Sequence, residues 1–230
     1  MARKKIVFII VEGPSDYDAL GVIFSRLYNK NEVYVEITHG DITSDLDSQK
    51  TNIVIKIANL VKKYAKSNHY KNSDFQEIIH LIDMDGTYVS DDIIHEDLSR
   101  DKPFYTLTGI YTSKRIQLIE RNRRKADNIN RICFESKIWS SIPYTAYYMS
   151  SNLDHVLYNE LNSTDDEKEK NSLAFSKKYK EDLDGFLKFI QESDFSVTND
   201  FKKSWEYIKE ELHSLERHTN LGICFEKIIK

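Results

Sequence analysis

Residues 6–11, Ile-Val-Phe-Ile-Ile-Val, form an unbroken apolar run in which all but one residue are β-branched. A run with no polar alternation predicts a strand buried on both faces, as in a parallel sheet. Gly13-Pro14 ends it. Tyr17, Leu20, Ile23, Phe24 and Leu27 then recur at helical spacing, predicting an amphipathic helix to about Tyr28 with Ser15 or Asp16 as its cap. Residues 33–38, VYVEIT, read as a second strand that runs into His39-Gly40-Asp41. A second amphipathic helix is expected from Thr51. Residues 77–82 form a third strand, ending on Asp83-Met84-Asp85-Gly86.

The order strand, helix, strand, helix, strand predicts a βαβαβ unit with right-handed crossovers and a mostly parallel, Rossmann-like central sheet. A polar stretch follows Gly86 to about Thr112. A basic helix is expected over 113–131, a fourth strand over 144–150, and a further helix capped by Ser151 or Asn152. Residues 162–171, NSTDDEKEKN, contain no apolar side chain and read as a linker. Beyond them the pattern is helical over 172–193, over 200–215 and in a last segment to Lys230. The expected organisation is therefore an α/β domain over 1–150, with a helical C-terminal extension over 151–230 packed on it or completing it.

Composition changes this picture little. The 230 residues are 40% hydrophobic and 30% charged, an ordinary balance for a chain with a real core. A net charge of −4 gives no global attraction to nucleic acid, so such binding needs a local basic patch. Two cysteines, Cys133 and Cys224, make no disulfide framework or zinc spacing and fit a reducing, cytoplasmic setting. The apolar run after the basic start is too short for a signal peptide or a membrane span. Seven glycines and no GxxxxGK[ST] exclude a P-loop nucleotide site.

The chemistry concentrates where strands end. In open parallel sheets, functional groups gather beyond the carboxyl ends of the strands. The first strand ends on Glu12, with Asp16 one turn on; the third ends on Asp83 and Asp85. Alternate strand residues point the same way, so the Asp-x-Asp pair is expected to face one volume, joined by Glu12 if the two strands are neighbours. Several carboxylates in one pocket repel unless a cation sits among them, and hard oxygen donors select Mg²⁺ or Mn²⁺. Gly13 and Gly86 are expected to provide tight turns beside it.

Glu-Gly in VEGPSD and Asp-x-Asp in LIDMDG, in this order on this frame, resemble the Toprim domain shared by topoisomerases, primases, a ribosomal-RNA maturase and OLD-type nucleases. The resemblance covers about residues 4–87. It extends more weakly through YYMSSNLDHVLYNEL and HTNLGICFEKII to standalone proteins of the RloB and abortive-infection kind. It implies a Toprim-like fold with Glu12, Asp83 and Asp85 as catalytic residues and metal ligands, and Asp16 and Asp154 completing the metal shell. The implied activity is Mg²⁺-dependent endonuclease cleavage of DNA or RNA, in bacterial antiviral defence, alongside an ABC-type ATPase partner. Two alternatives are ribosomal-RNA processing and a non-catalytic partner or sensor subunit.

The basic helix carries Lys114, Arg115, Arg121, Arg123, Arg124 and Lys125, the expected nucleic-acid-binding side chains; Lys114, Arg115 and Lys125 are also the candidates for a cation at the scissile phosphate. Tyr105 and Tyr111 precede it as possible stacking platforms for unpaired bases. His39 and His80 are expected to be structural, and Tyr144, Tyr147 and Tyr148 to belong to the core and the strand surface.

Overall fold

The computed structural model describes residues 4–28, 33–45, 52–197 and 200–229. The expected helix start at Thr51 and the chain end at Lys230 lie outside the described residues. The first strand, β1 (Lys5–Val11), leads into α1 (Pro14–Leu27), β2 (Val33–His39), α2 (Ile53–Ser67) and β3 (Phe75–Asp83). All three strands are parallel, with β1 between β2 and β3. The fourth long strand, β8 (Ile142–Met149), pairs parallel to β3, so the expected βαβαβ unit is present and extended by one strand.

The alternation in β1 explains its place. Val7, Ile9 and Val11 pack on one side against α1 and the C-terminal helices, while Ile6, Phe8 and Ile10 pack on the other against α2. Each such side chain contributes about 1.5–3 kcal/mol by burial, which anchors the strand on both faces. The acid that follows β1 therefore leaves a rigid element.

The sheet is mixed rather than wholly parallel. A two-residue strand, β7 (Lys137–Ile138), pairs antiparallel to β8 and gives the order β2-β1-β3-β8-β7. The polar stretch after Gly86 also holds regular structure that its sequence conceals. Three short strands, β4 (Ile94–Glu96), β5 (Phe104–Thr106) and β6 (Gly109–Thr112), form a separate small sheet in the order β4-β6-β5. It sits on its own apolar cluster of Val89, Ile94, Ile110, Leu118, Ile119 and Leu215. The basic helix follows as α3 (Arg115–Ile132).

The C-terminal part differs most from expectation. After α4 (Leu153–Tyr158), the charged run expected to be a linker opens α5 (Asp165–Tyr179). Thr164 and Glu167 form a reciprocal cap, and three acids in the first turn suit the helix dipole. The run lacks apolar residues because the first two turns face solvent; only Ser172, Phe175, Ser176 and Tyr179 turn inward. The single helix expected over 172–193 is interrupted at Asp182, whose side chain caps α6 (Leu183–Glu192). The helix expected to reach residue 215 stops early, as α7 (Phe201–Tyr207), and α8 (Leu221–Ile229) closes the chain. Residues 208–220 between them give backbone carbonyls to other loops instead of to a helix: Gly86 and Ser151 donate to Ser214, and Ser150 donates to His218.

Helices α4, α5, α6 and α8 share the apolar cluster of α1, while α2, α3 and α7 cover the opposite sheet face. The two cysteines fall in different clusters, Cys224 on the first face and Cys133 on the second, so the sheet separates them. Among the described residues, no helix is long and apolar enough to cross a membrane.

Candidate functional site

The chain leaves β1 toward β2 on one side and returns, through α2, to β3 on the other. The carboxyl ends of β1 and β3 therefore flank a topological switch point, where crevices form in open α/β sheets. Glu12 lies at one end and Asp83 at the other. The backbone N–H of Asp83 donates to Glu12 Oε1 at 3.2 Å, so two acids 71 positions apart meet at this rim.

Asp85 arrives by a different route from the one its spacing predicts. Asp83 is the last residue of β3, and Asp85 already has a left-handed backbone with φ 48°. A turn, not strand alternation, brings its carboxylate in. The turn is held from outside: Met84 donates to the carbonyl of Met149, Asp85 to that of Ser151, and Gly86 to that of Ser214. Glycine is required at 86. Its φ is +64°, and a Cβ there would stand 2.7 Å from Leu215 Cδ2 and 2.8 Å from Ile110 Cδ1. Gly13 has no such need, since its φ of −129° is extended and its nearest neighbours leave room. Gly13 itself is the cap residue of α1, in place of Ser15 or Asp16. Asp16 stands at N3, where its Oδ2 accepts the Gly13 N–H at 2.8 Å.

Helix α3 supplies the cations. Arg121 and Lys125 are one turn apart on its inner face. Lys125 Nζ donates to Asp85 Oδ2 at 2.6 Å and to the two Glu12 oxygens at 3.2 and 3.4 Å, with its side chain wholly buried. Arg121 lies 3.9 Å from Asp85 Oδ2, donates to the Asp85 carbonyl at 3.2 Å and reaches the Tyr105 hydroxyl. Asparagines on the same helix fix its position. Asn122 donates to the carbonyl of Gly86, and Asn128 to that of Thr43 in the loop after β2.

Lys125, expected among the nucleic-acid contacts and as a candidate cation at the scissile phosphate, lies inside the acidic centre. Leu118, Ile119, Asn122, Lys125, Asn128, Ile129 and Ile132 are the buried positions of the helix, so Lys125 falls on its inner face. Arg115 spends its guanidinium on the carbonyls of Asp91 and Ile94. Arg124 donates to the Ser44 carbonyl at 3.1 Å. Arg123 pairs with Asp91 at the surface, and Lys114 is exposed. The basic helix is thus two-sided: an inner face bound to carboxylates and carbonyls, and a thin outer face.

Burial dominates the electrostatics. It pushes the Glu12 carboxyl up to about 8, against Lys125, with Asp41 and Asp85 adding to the rise. It raises Asp83 well above the usual carboxylate range, reinforced by Glu12, Asp16 and Asp85. Asp85 also suffers burial, but Lys125 and Arg121 outweigh it and hold its carboxyl below the ordinary value. Asp16 is pushed up to about 6 by burial and by Asp154, against its bond from Gly13. Burial likewise raises Asp154, opposed by Lys168 at 3.6 Å. Asp154 occupies the second position of α4, behind the cap Asn152.

A hard divalent ion suits the chemistry of these donors. All are carboxylate oxygens, and Asp83 Oδ1 is buried with no hydrogen-bond partner. The expected five-acid shell is nevertheless not drawn together: among the described residues, no three His, Cys, Asp or Glu side chains are grouped so as to hold a metal ion. Glu12 and Asp85 close around Lys125, Asp16 and Asp154 form a second pair beside Lys168, and Asp83 feels both groups.

One residue of this centre was missed by the reading of the sequence. Asp41 follows β2 as Glu12 follows β1, and it interacts with Lys125. The same rule of strand ends would have found it. Tyr105, expected as a stacking platform, uses its hydroxyl on Arg121. His80 is buried and bonded through Nδ1 to the Tyr144 hydroxyl at 2.8 Å. No family model, no curated protein and no solved structure matches this chain.

Proposed function

We propose that the chain is a divalent-metal-dependent endonuclease of Toprim type, hydrolysing phosphodiester bonds in DNA or RNA. The observation that carries this reading is the placement of Glu12, Asp83 and Asp85 at the adjacent ends of β1 and β3, with the buried Lys125 and the half-buried Arg121 beside them. The parallel order β2-β1-β3-β8 supports a Toprim-like fold. Glu12, Asp83 and Asp85 would hold Mg²⁺ or Mn²⁺, with Asp16 and Asp154 alongside. When bound, the ion supplies a polarised water and charge stabilisation at a phosphate oxygen. Arg121 offers a fixed guanidinium at the same rim to a phosphate. Resemblance alone suggests a role in bacterial antiviral defence with an ABC-type ATPase as partner.

One observation favours a second reading, a non-catalytic partner subunit: Lys125 already bridges Glu12 and Asp85 without an ion. Cleavage separates the two. Supercoiled plasmid and structured RNA are incubated with the purified protein in Mn²⁺, in Mg²⁺ and in EDTA. Cleavage that needs the ion and falls at least about a hundredfold in Glu12→Gln and Asp83→Asn is expected, a range typical of acid–base and electrostatic groups. Cleavage undiminished in both variants, or none by the wild type in either ion, contradicts the nuclease.

A further inference from the structure

We infer that Lys125 is the resident cation of the acidic centre, and that a divalent ion enters only by displacing its ammonium group from between Glu12 and Asp85. The inference rests on the proposed metal chemistry and adds a competitor built into the fold. A fully buried lysine is rare unless paired, because an uncompensated charge is expensive inside a protein. Here the pairing is threefold: Asp85 Oδ2 at 2.6 Å and both Glu12 oxygens at 3.2 and 3.4 Å. These are the carboxylates that a hard ion would use. The ammonium therefore holds the position between them and supplies the charge that otherwise only an ion could supply.

The rest of the geometry makes this an exchange rather than a permanent plug. Asp83 Oδ1, on a side chain nine-tenths buried, has no hydrogen-bond partner although it faces the field of Glu12, Asp16 and Asp85. Lysine donors satisfy Glu12 and Asp85 but leave this oxygen orphaned, and an unpaired buried acceptor is destabilising. An ion coordinated by Asp83 together with Glu12 would remove that penalty. Helix α3 need not move, since Asn122 and Asn128 bind it to the loops after β3 and β2. The exchange asks for movement of the Lys125 stem rather than of the helix. Arg121, already beside Asp85, stays to balance the acid.

The competition is read by binding and stability, not by activity alone. Mn²⁺ affinity is measured by calorimetry on the full chain and on Lys125→Gln, with melting curves in EDTA and in saturating Mn²⁺. Lys125→Gln is expected to bind Mn²⁺ at least about tenfold more tightly than the wild type. Its melting point should fall by roughly 10 °C in EDTA, the scale of an unpaired buried charge, and recover in Mn²⁺. Equal or weaker affinity, or a loss that Mn²⁺ does not restore, overturns the displacement. Because the variant can fail to fold, the wild type provides a second test. The Lys125 ammonium signal in a ¹⁵N-lysine spectrum should move when Mg²⁺ saturates the protein, and an unmoved signal overturns the inference. Tighter binding by Lys125→Gln with no cleavage by any form sustains the displacement and removes the nuclease. Equal affinity in a chain that cuts nucleic acid does the reverse. Absence of binding by both proteins removes both.

Discussion

Glu12 shows how far one residue can be read before its neighbours are known. Its place after a doubly buried strand marks it, but its chemistry depends on Asp83, Lys125 and Asp85 from elsewhere in the chain. Burial raises its carboxyl from an ordinary 4.5 to about 8. A carboxyl raised on folding favours the protonated native state, so its contribution is fully present below the unfolded value and is lost as pH rises through the folded one. Buried His80, depressed from 6.5 to about 3, works in the opposite sense, but only below its unfolded value. Between about pH 6.5 and 8 the raised carboxyls therefore govern, Glu12 together with Asp83, which burial lifts in the same direction. The ion-free protein should melt at progressively lower temperature across that window, and Glu12→Gln should flatten the decline. Melting curves in EDTA at several pH values check this; an equally steep decline in the variant would place the titration elsewhere. Asp85 illustrates the limit of spacing rules. Its proximity to Asp83 was expected from strand pleating, yet it comes from a left-handed turn fixed by the carbonyls of Ser151 and Ser214. No local pattern records those partners.

At the scale of elements, β1, β3 and β8 were legible because their apolar runs are buried by both layers of helices, whereas β7, two residues long, was not. The small sheet was not. Its strands are three or four residues long, with β5 half-buried throughout and β6 mostly buried, so they are too short to show a period. The start of α5 was hidden for the opposite reason: its capping residues were readable, but a fully solvated first face looks like a linker. Helix α3 was found, and its charge was visible, but the sequence does not say which of its cations turn inward. The inner face takes Arg121 and Lys125, and Arg115 and Arg124 are held by backbone carbonyls, which leaves Lys114 and Arg123 as the outward charges among the six expected to contact nucleic acid. Neutralising Lys114 and Arg123 together should reduce the slope of log affinity against log salt by about 2, one for each lost phosphate contact, while leaving stability nearly unchanged. Arg115→Gln should instead lower the melting point, because its guanidinium holds the carbonyls of Asp91 and Ile94. Filter binding over a range of salt concentrations separates the two classes. An unaltered slope in the Lys114 and Arg123 double variant would assign the outer face of α3 to something other than phosphate.

For the whole molecule, the decisive feature is a topology that reverses direction at β1. It brings the ends of β1 and β3 together without any sequence proximity, and residues 208–220 close over the result from the far end of the chain. The C-terminal region is thus part of the site's frame: Ser214 fixes both Gly86 and Ser151, and α5 brings Lys168 to Asp154. The central claim is that this convergence exists to hold a divalent ion. A crystal grown in Mn²⁺, with anomalous diffraction collected at the manganese edge, tests it most directly. The predicted result is a peak about 2.2 Å from carboxylate oxygens of Glu12 and Asp83, as expected for a hard divalent ion, with Lys125 withdrawn from Glu12. Saturating Mn²⁺ with no peak at this rim, and Lys125 still seated between Glu12 and Asp85, would contradict it.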